Sequence, residues 1–297
     1  MTHILLVADV PNWIFHRHCM EIKQRLPQYH MDIAFGKNMR NVDPKLYDLI
    51  FILGTCMSYN PHLKEKTVIG IRNECTYGHD ENGIRKFHHR LIASRASLFH
   101  VVNQKQYEEF YPIFGSECFF CPHGVDIEVF NDFPAFDRWP LVVGSTGNPG
   151  SMGKKGFDII KSACNQLGLE LKTATQNLNG KQRTKSEMPE FYRSIDIYVN
   201  MSVSEGLNNG ILEAGAMGKM VVATPVGAAP EMIISGDTGL ICSRSVDSLV
   251  KALNDCINNV SNIKQHGRNL QRLIRERWSW DVCINRYNEM FKAILER

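Results

Sequence analysis

A chain of 297 residues that is 43% hydrophobic has material for one large core or two ordinary ones, and two domains of about 140 residues are the natural expectation. Its formal net charge of +3 predicts little by itself. No apolar run reaches the roughly 18 residues of a membrane span, and Met1 to Arg17 lacks the basic start and cleavage site of a signal peptide. Nine cysteines without a regular framework speak against a secreted disulfide scaffold, so the expectation is a soluble, cytoplasmic protein with reduced thiols.

In chain order, Ile4 to Ala8 reads as the first strand of an open α/β sheet. The turn after it, DVPNWIFHRH, has no glycine, so a GxGxxG dinucleotide fingerprint is absent and a dehydrogenase loses most of its support. Cys19 to Leu26 continues as a helix, with Pro27 near its end. Asp48 to Leu53 and Val68 to Ile71 read as the next two buried strands. Polar residues just after strands are where a doubly wound domain places its ligands, which nominates Asp9, Asn12, Trp13, Thr55, Arg72, Asn73 and Glu74. Ten of the eleven histidines fall before residue 124, but His-Arg-His (16–18) and Phe-His-His-Arg (87–90) have no Cys or carboxylate at zinc-site intervals, so no metal is assigned. Cys118 and Cys121 form a single CxxC; ECFF is read as a strand instead.

Asn131 to Pro140 has two prolines and no period, which marks the interdomain linker and divides the chain near residues 135/136. Leu141 to Gly144 opens a second sheet and runs into STGNPGSMGKKG, a Gly-rich loop before the helix Phe157 to Leu167. Such a strand-to-helix turn suits phosphate, with Lys155, and Lys154 beside it, able to neutralise a diphosphate. Lys172 to Lys185 reads as a long polar loop with Lys172, Lys181, Arg183 and Lys185 and no acid, either contacting a ligand or merely solvated. Residues 1–137 hold 14 Lys and Arg against 16 Asp and Glu, so this half does not favour a polyanionic partner such as DNA.

The stretch from Ser202 to Ile234, with the strand before it, is the one the rest of the chain is organised around. Ile195 to Asn200 is a buried strand, Asn208 and Asn209 open a helix that Gly218 closes, and Met220 to Thr224 is the next strand. This βαβ unit sets a helix N-terminus at the carboxyl edge of a parallel sheet, with the N–H groups of Leu207, Asn208 and Asn209 aimed at an anion. Glu205 lies at the mouth of that turn and Glu213 about one helical turn inside. A ligand with an anionic centre and hydroxyls at both ends fits, and a nucleotide diphosphate sugar has that shape. The competing reading for Glu213 is simple stabilisation of the helix N-terminus. Two later segments, Val246 to Asn259 and Ile263 to Trp278, have helical spacing, and the final twenty residues place Val282, Ile284, Tyr287, Met290, Phe291 and Ile294 near one apolar face.

Glu205-Gly206, Asn209, Ile211-Leu212, Glu213-Ala214, Gly218, Pro225, Gly227, Pro230 and Glu231 together resemble the signature of retaining family-four (group 1) glycosyltransferases of the GT-B fold. His123-Gly124-Val125-Asp126 with Phe130, Lys155-Gly156 and Gly239-Leu240 resemble further elements of that family, over nearly the whole chain but most sharply over residues 141–240. The resemblance implies two Rossmann-like domains facing across a cleft, an acceptor domain (1–135) and a donor domain (136–280), with a C-terminal helix (281–297) crossing back to the first. It also implies a metal-independent transferase acting on a nucleotide diphosphate sugar, UDP- or GDP-linked, with Glu205 on the sugar, Glu213 on the ribose and Lys155 on the diphosphate. Ser145 and Thr146 stand where the family has an arginine on the diphosphate, His123 replaces an asparagine, and His79 or no histidine serves the sugar. The acceptor side is expected to include Asp9, Asn12, Trp13, Arg72, Asn73, Glu74, His79 and His123, and the acceptor to be a glycan, a lipid-linked sugar, a small metabolite or a modified DNA base. The competing functions are a catalytically inactive nucleotide-sugar-binding partner and a GT-B-type epimerase.

Overall fold

The computed structural model describes residues 2–36, 41–54, 67–72, 98–132, 140–147, 152–175 and 184–297. Cα proximity divides the chain into two units, Met1–His123 with Trp280–Arg297 and Gly124–Ser279. In the first unit the chain runs through β1 (His3–Ala8), α1 (Ile14–Arg25), β2 (His30–Phe35), β3 (Leu49–Ile52), β4 (Thr67–Ile71), β5 (Leu98–Val101), α2 (Gln104–Phe114) and β6 (Cys118–Phe120). Every pairing is parallel and the strand order is β2-β1-β3-β4-β5-β6. Apart from His3, Thr67 and His100, the four central strands are apolar and buried on both faces, as a sheet covered on both sides requires. Asn103 caps α2 by accepting from the Gln106 N–H at 2.8 Å, and Lys23 and Arg25 sit favourably in the last turn of α1.

The second unit contains β7 (Val142–Gly147), α3 (Met152–Lys155), α4 (Phe157–Leu167), β8 (Glu170–Thr175), α5 (Met188–Arg193), β9 (Ile197–Asn200), α6 (Asn209–Ala216), β10 (Met220–Ala223), α7 (Ala229–Met232), β11 (Leu240–Ile241), α8 (Val246–Asn258) and α9 (Val260–Arg277). Its sheet is also wholly parallel, in the order β11-β10-β9-β7-β8. Leu249, Leu253 and Cys256 of α8, with Ile160 and Cys164 of α4, cover the buried face of β7, β9 and β10. The last helix, α10 (Trp280–Leu295), returns to the first unit, where Trp280, Ile284, Tyr287, Met290, Phe291 and Ile294 pack into the core of β1, β3 and α1. Each such buried side chain contributes roughly 1.5–3 kcal/mol, enough in sum to fix the helix there.

Four local expectations change. His30–Phe35 is a strand that the apolar-run criterion passes over, because an edge strand has mixed burial. Ser145, Thr146 and Gly147 continue β7 rather than begin a loop, since Thr173, Ala174 and Thr175 of β8 supply their ladder partners. Lys172 belongs to β8, not to a loop, and its ammonium donates to the Ser194 carbonyl at 3.3 Å. Val282 is 43% exposed and lies off the packed face of α10.

Candidate functional site

In an open parallel sheet, ligands collect at the carboxyl edge where the strand order reverses. In the second unit that point lies between β7 and β9, because β8 follows β7 on one side while β10 and β11 follow β9 on the other. Three segments meet there: the end of β7, the turn 152–156, and the loop 201–208 between β9 and α6.

The central contact joins two of them. The Lys155 ammonium donates to Glu205 Oε1, and the Ser202 hydroxyl donates to the same oxygen at 2.7 Å. Side-chain exposures of 26% for Lys155 and 12% for Glu205 make this a partly buried pair that a ligand can still reach. The surrounding backbone holds both residues in register. Val203 N–H donates to the Lys154 carbonyl at 3.0 Å, and the Thr224 hydroxyl to the Ser202 carbonyl at 2.7 Å. Arg244 bridges the segments, Nε donating to the Met201 carbonyl at 2.9 Å and Nη2 to the Gly153 carbonyl at 2.6 Å. Gly156 is left-handed at φ +70°, and a Cβ there would sit 2.5 Å from the Met201 carbonyl oxygen, so the turn closes on β9 only with glycine.

The Asn208 side chain accepts from the Ile211 N–H at 3.2 Å and starts α6, whose first-turn amides face the carboxyl edge. The turn below it is equally tight: the Gly206 carbonyl accepts from Ala228 N–H at 2.9 Å. Glu213, half-buried in α6, receives the Tyr192 hydroxyl at 2.8 Å from α5. Burial, and then the adjoining Glu213 charge, push the Tyr192 phenol well above its ordinary pKa, so it stays a protonated donor to that carboxylate. Tyr198, raised first by burial, shares a 2.7 Å hydrogen bond with Thr146 beneath Gly210.

The structure thus brings Lys155, Glu205, Gly206, Leu207, Asn208, Asn209 and Glu213 to one edge. Ser145 is different: it is buried and its hydroxyl donates to the Val199 carbonyl at 2.8 Å, tying β7 to β9. Lys154 is exposed and contributes its carbonyl. Lys185 pairs with Asp126 at 2.6 Å, and Asp126 also accepts from Glu128 and Val129 N–H. Burial pushes the Asp126 carboxyl up, but Lys185 and these amides together hold it below its usual range. Arg183, Thr55, Asn73, Glu74 and His79 lie outside the described residues.

On the first unit, Asp9 follows β1, half-buried, and is raised first by burial; Asn12 sits at φ +61° and donates its N–H to His16 Nδ1; Trp13 precedes α1. Arg72 follows β4, buried, its Nε donating to the Leu53 carbonyl at 2.5 Å and its guanidinium 5.6 Å from the Phe15 ring. His123 is buried with its ring 4.1 Å from that of His18. The CxxC serves the core: Cys118 lies in β6 with its thiol pushed by burial up to about 12, and the Cys121 thiol donates to the Arg286 carbonyl at 3.4 Å. Nothing local in the sequence marks Tyr192 or Arg244, which reach the site from distant segments, while the Ser202 contact to Glu205 three residues on is local but its residue type carries no ligand motif.

Comparison with known proteins locates the match in this same half. Residues 150–259 match the family of group 1 glycosyl transferases. An uncharacterised glycosyltransferase of Methanocaldococcus jannaschii is 28% identical over 105 residues, 35% of this chain and 27% of that protein. A lipopolysaccharide core biosynthesis mannosyltransferase, LpcC, of Rhizobium leguminosarum bv. viciae is 29% identical over 113 residues, 37% of this chain and 32% of that protein. The matched segments thus span about a third or less of these curated relatives. Among solved structures, sucrose-phosphate synthase of Thermosynechococcus elongatus superposes with a TM-score of 0.76 at 11% identity, covering 100% of both chains. Anabaena HepE in complex with UDP gives 0.71 at 15% identity over 99% of this chain and 100% of that one. These likenesses show the fold, two parallel α/β units of the GT-B type.

Proposed function

We propose that the protein is a retaining, metal-independent glycosyltransferase that moves a sugar from a nucleotide diphosphate sugar to an acceptor hydroxyl. The observation that carries this reading is the pairing of Lys155 with Glu205 at the switch point of the second unit, beside the N-terminus of α6. A cation and a carboxylate held together there match the two ends of a sugar–diphosphate bond. The match of residues 150–259 to group 1 glycosyl transferases supports the same assignment, and UDP in the HepE structure favours a uridine donor.

In this reading the second unit takes the donor and the first the acceptor. The α6 amides and the Lys155 ammonium receive the diphosphate, Glu205 accepts from sugar hydroxyls, and Glu213, steadied by Tyr192, accepts from the ribose. The anomeric carbon–phosphate oxygen bond breaks as the acceptor oxygen attacks from the same face, and the acceptor proton passes to the departing phosphate oxygen. Lys155 stabilises the negative charge that grows on that oxygen, with no bound metal ion invoked. The acceptor is a glycan, a lipid-linked sugar or a small metabolite, with DNA the least favoured.

The test is Glu205→Gln, which keeps the side chain's shape while removing its charge. The expected result is nucleotide diphosphate affinity within about threefold of wild type, with turnover or donor hydrolysis down by roughly 100-fold, a loss of interactions made in the transition state. Unchanged turnover would remove Glu205 from the mechanism.

A further inference from the structure

We propose that His3, His30 and Asp32 form a binding site for one divalent transition-metal ion of the Zn2+ class. Strand register creates the site. His3 lies directly opposite His30 in the parallel β1–β2 pair, and Asp32, two residues beyond His30, shares its face of the sheet. The three ligand atoms lie within 4.8 Å of one another. His3 Nε2 is 2.9 Å from Asp32 Oδ2, and the His3 and His30 ring centroids are 4.4 Å apart. Zinc bonds of about 2.0–2.2 Å to nitrogen and oxygen place tetrahedral ligands roughly 3.3 Å apart, which side-chain rotation alone reaches from here.

The donors are also held in place. Asp48 fixes the His3 backbone on both sides, its carboxylate accepting from His3 N–H at 2.9 Å and its own N–H donating to the His3 carbonyl at 2.8 Å. His30 N–H donates to the Thr2 carbonyl at 2.9 Å. The Tyr47 hydroxyl donates to Asp32 Oδ2 at 3.1 Å and orients the carboxylate, the outer-shell support that metal ligands usually have. His3 at 29% and Asp32 at 45% side-chain exposure leave room for an ion to enter and for water to complete its shell. Two imidazoles and one carboxylate suit zinc and its neighbours better than calcium or magnesium, which prefer all-oxygen sites.

The site lies at the amino edge of its sheet, whereas substrates belong at the carboxyl edge. The ion is therefore structural, fastening the edge strand β2 to β1, and the proposal stands or falls independently of the transferase reading.

The test is titration of the full-length, tag-free protein with Zn2+ at pH 7, together with the visible absorption of added Co2+. We expect one ion per chain, a rise in thermal midpoint of about 5 °C at saturation that EDTA abolishes, and a Co2+ band in the visible. His30→Ala and Asp32→Asn, both at accessible positions, should each weaken Zn2+ binding at least tenfold and lose the Co2+ band. Their metal-free unfolding should match that of the metal-free wild type, which separates loss of a ligand from loss of fold. Absence of stoichiometric binding, or equal binding by wild type and both variants, would overturn the proposal.

Discussion

Replacing Tyr192 by Phe removes one oxygen atom and leaves the surrounding aromatic packing intact. The Tyr192 side chain is wholly buried, its ring 5.2 Å from Phe191, 6.0 Å from Tyr198 and 6.1 Å from Phe130, and its hydroxyl is 2.8 Å from Glu213 Oε2. A hydrogen bond to a charged acceptor contributes about 1.5–3 kcal/mol, so its loss lowers stability by up to that amount and the thermal midpoint by roughly 3–10 °C. If Glu213 holds the ribose, the loosened carboxylate also binds the donor less well. At 1.4 kcal/mol per factor of ten, the same bond is worth about 10- to 100-fold in affinity. Calorimetric titration with the nucleoside diphosphate, beside thermal unfolding of the free protein, separates the two effects. The expected outcome is a weaker Kd together with the lower midpoint, and a kcat changed by less than about threefold, the pattern of lost uniform binding. A lower midpoint with an unchanged Kd would mean that Tyr192 and Glu213 only brace α5 against α6, and would refute the ribose role.

Two further outcomes follow from geometry and charge. Gly210→Ala puts a Cβ 1.9 Å from the Tyr198 hydroxyl and 2.8 Å from Thr146 Oγ1, both fixed by their mutual bond, so α6 must shift and nucleotide affinity should fall by more than tenfold. An affinity within twofold of wild type would show that the helix N-terminus makes no close contact with the ligand. Asp126, held below the usual carboxylate range, contributes stability that is present above that range and lost as pH falls through its lower folded pKa. Acid unfolding followed by fluorescence should therefore steepen below about pH 4, and Asp126→Asn should flatten that limb while leaving the ion-pair partner Lys185 in place; identical limbs would contradict the assignment.

Much of the second unit is readable from residue order because its signals are local. Asn208 as a cap, the eight-residue spacing of Glu205 and Glu213, the apolar runs around them and Gly218 at the helix end each act within a few residues. Lys155 and Glu205 were each legible as candidates, but their ion pair spans fifty positions and depends on Gly156 closing against Met201. Arg244 and Tyr192 reach the site from segments that carry no ligand motif of their own. Ser145 shows the opposite case: small polar residues beside glycine look like a phosphate loop, yet the position of β7 between β9 and β8 turns its hydroxyl into a tie between strands. The His3, His30 and Asp32 cluster was hidden for the same reason, since 27 residues separate the two histidines that strand register sets side by side.

The most direct measurement is titration of the purified protein with UDP, GDP, ADP, dTDP and CMP, in wild type and in Lys155→Met. One nucleoside diphosphate should bind with micromolar affinity, in the presence of EDTA as in its absence, and Lys155→Met should weaken it by about 100-fold, the worth of a charge-assisted contact to phosphate in a partly buried site. Binding of none of them, or equal binding to both proteins, would contradict the claim that the switch point of the second unit is a diphosphate site.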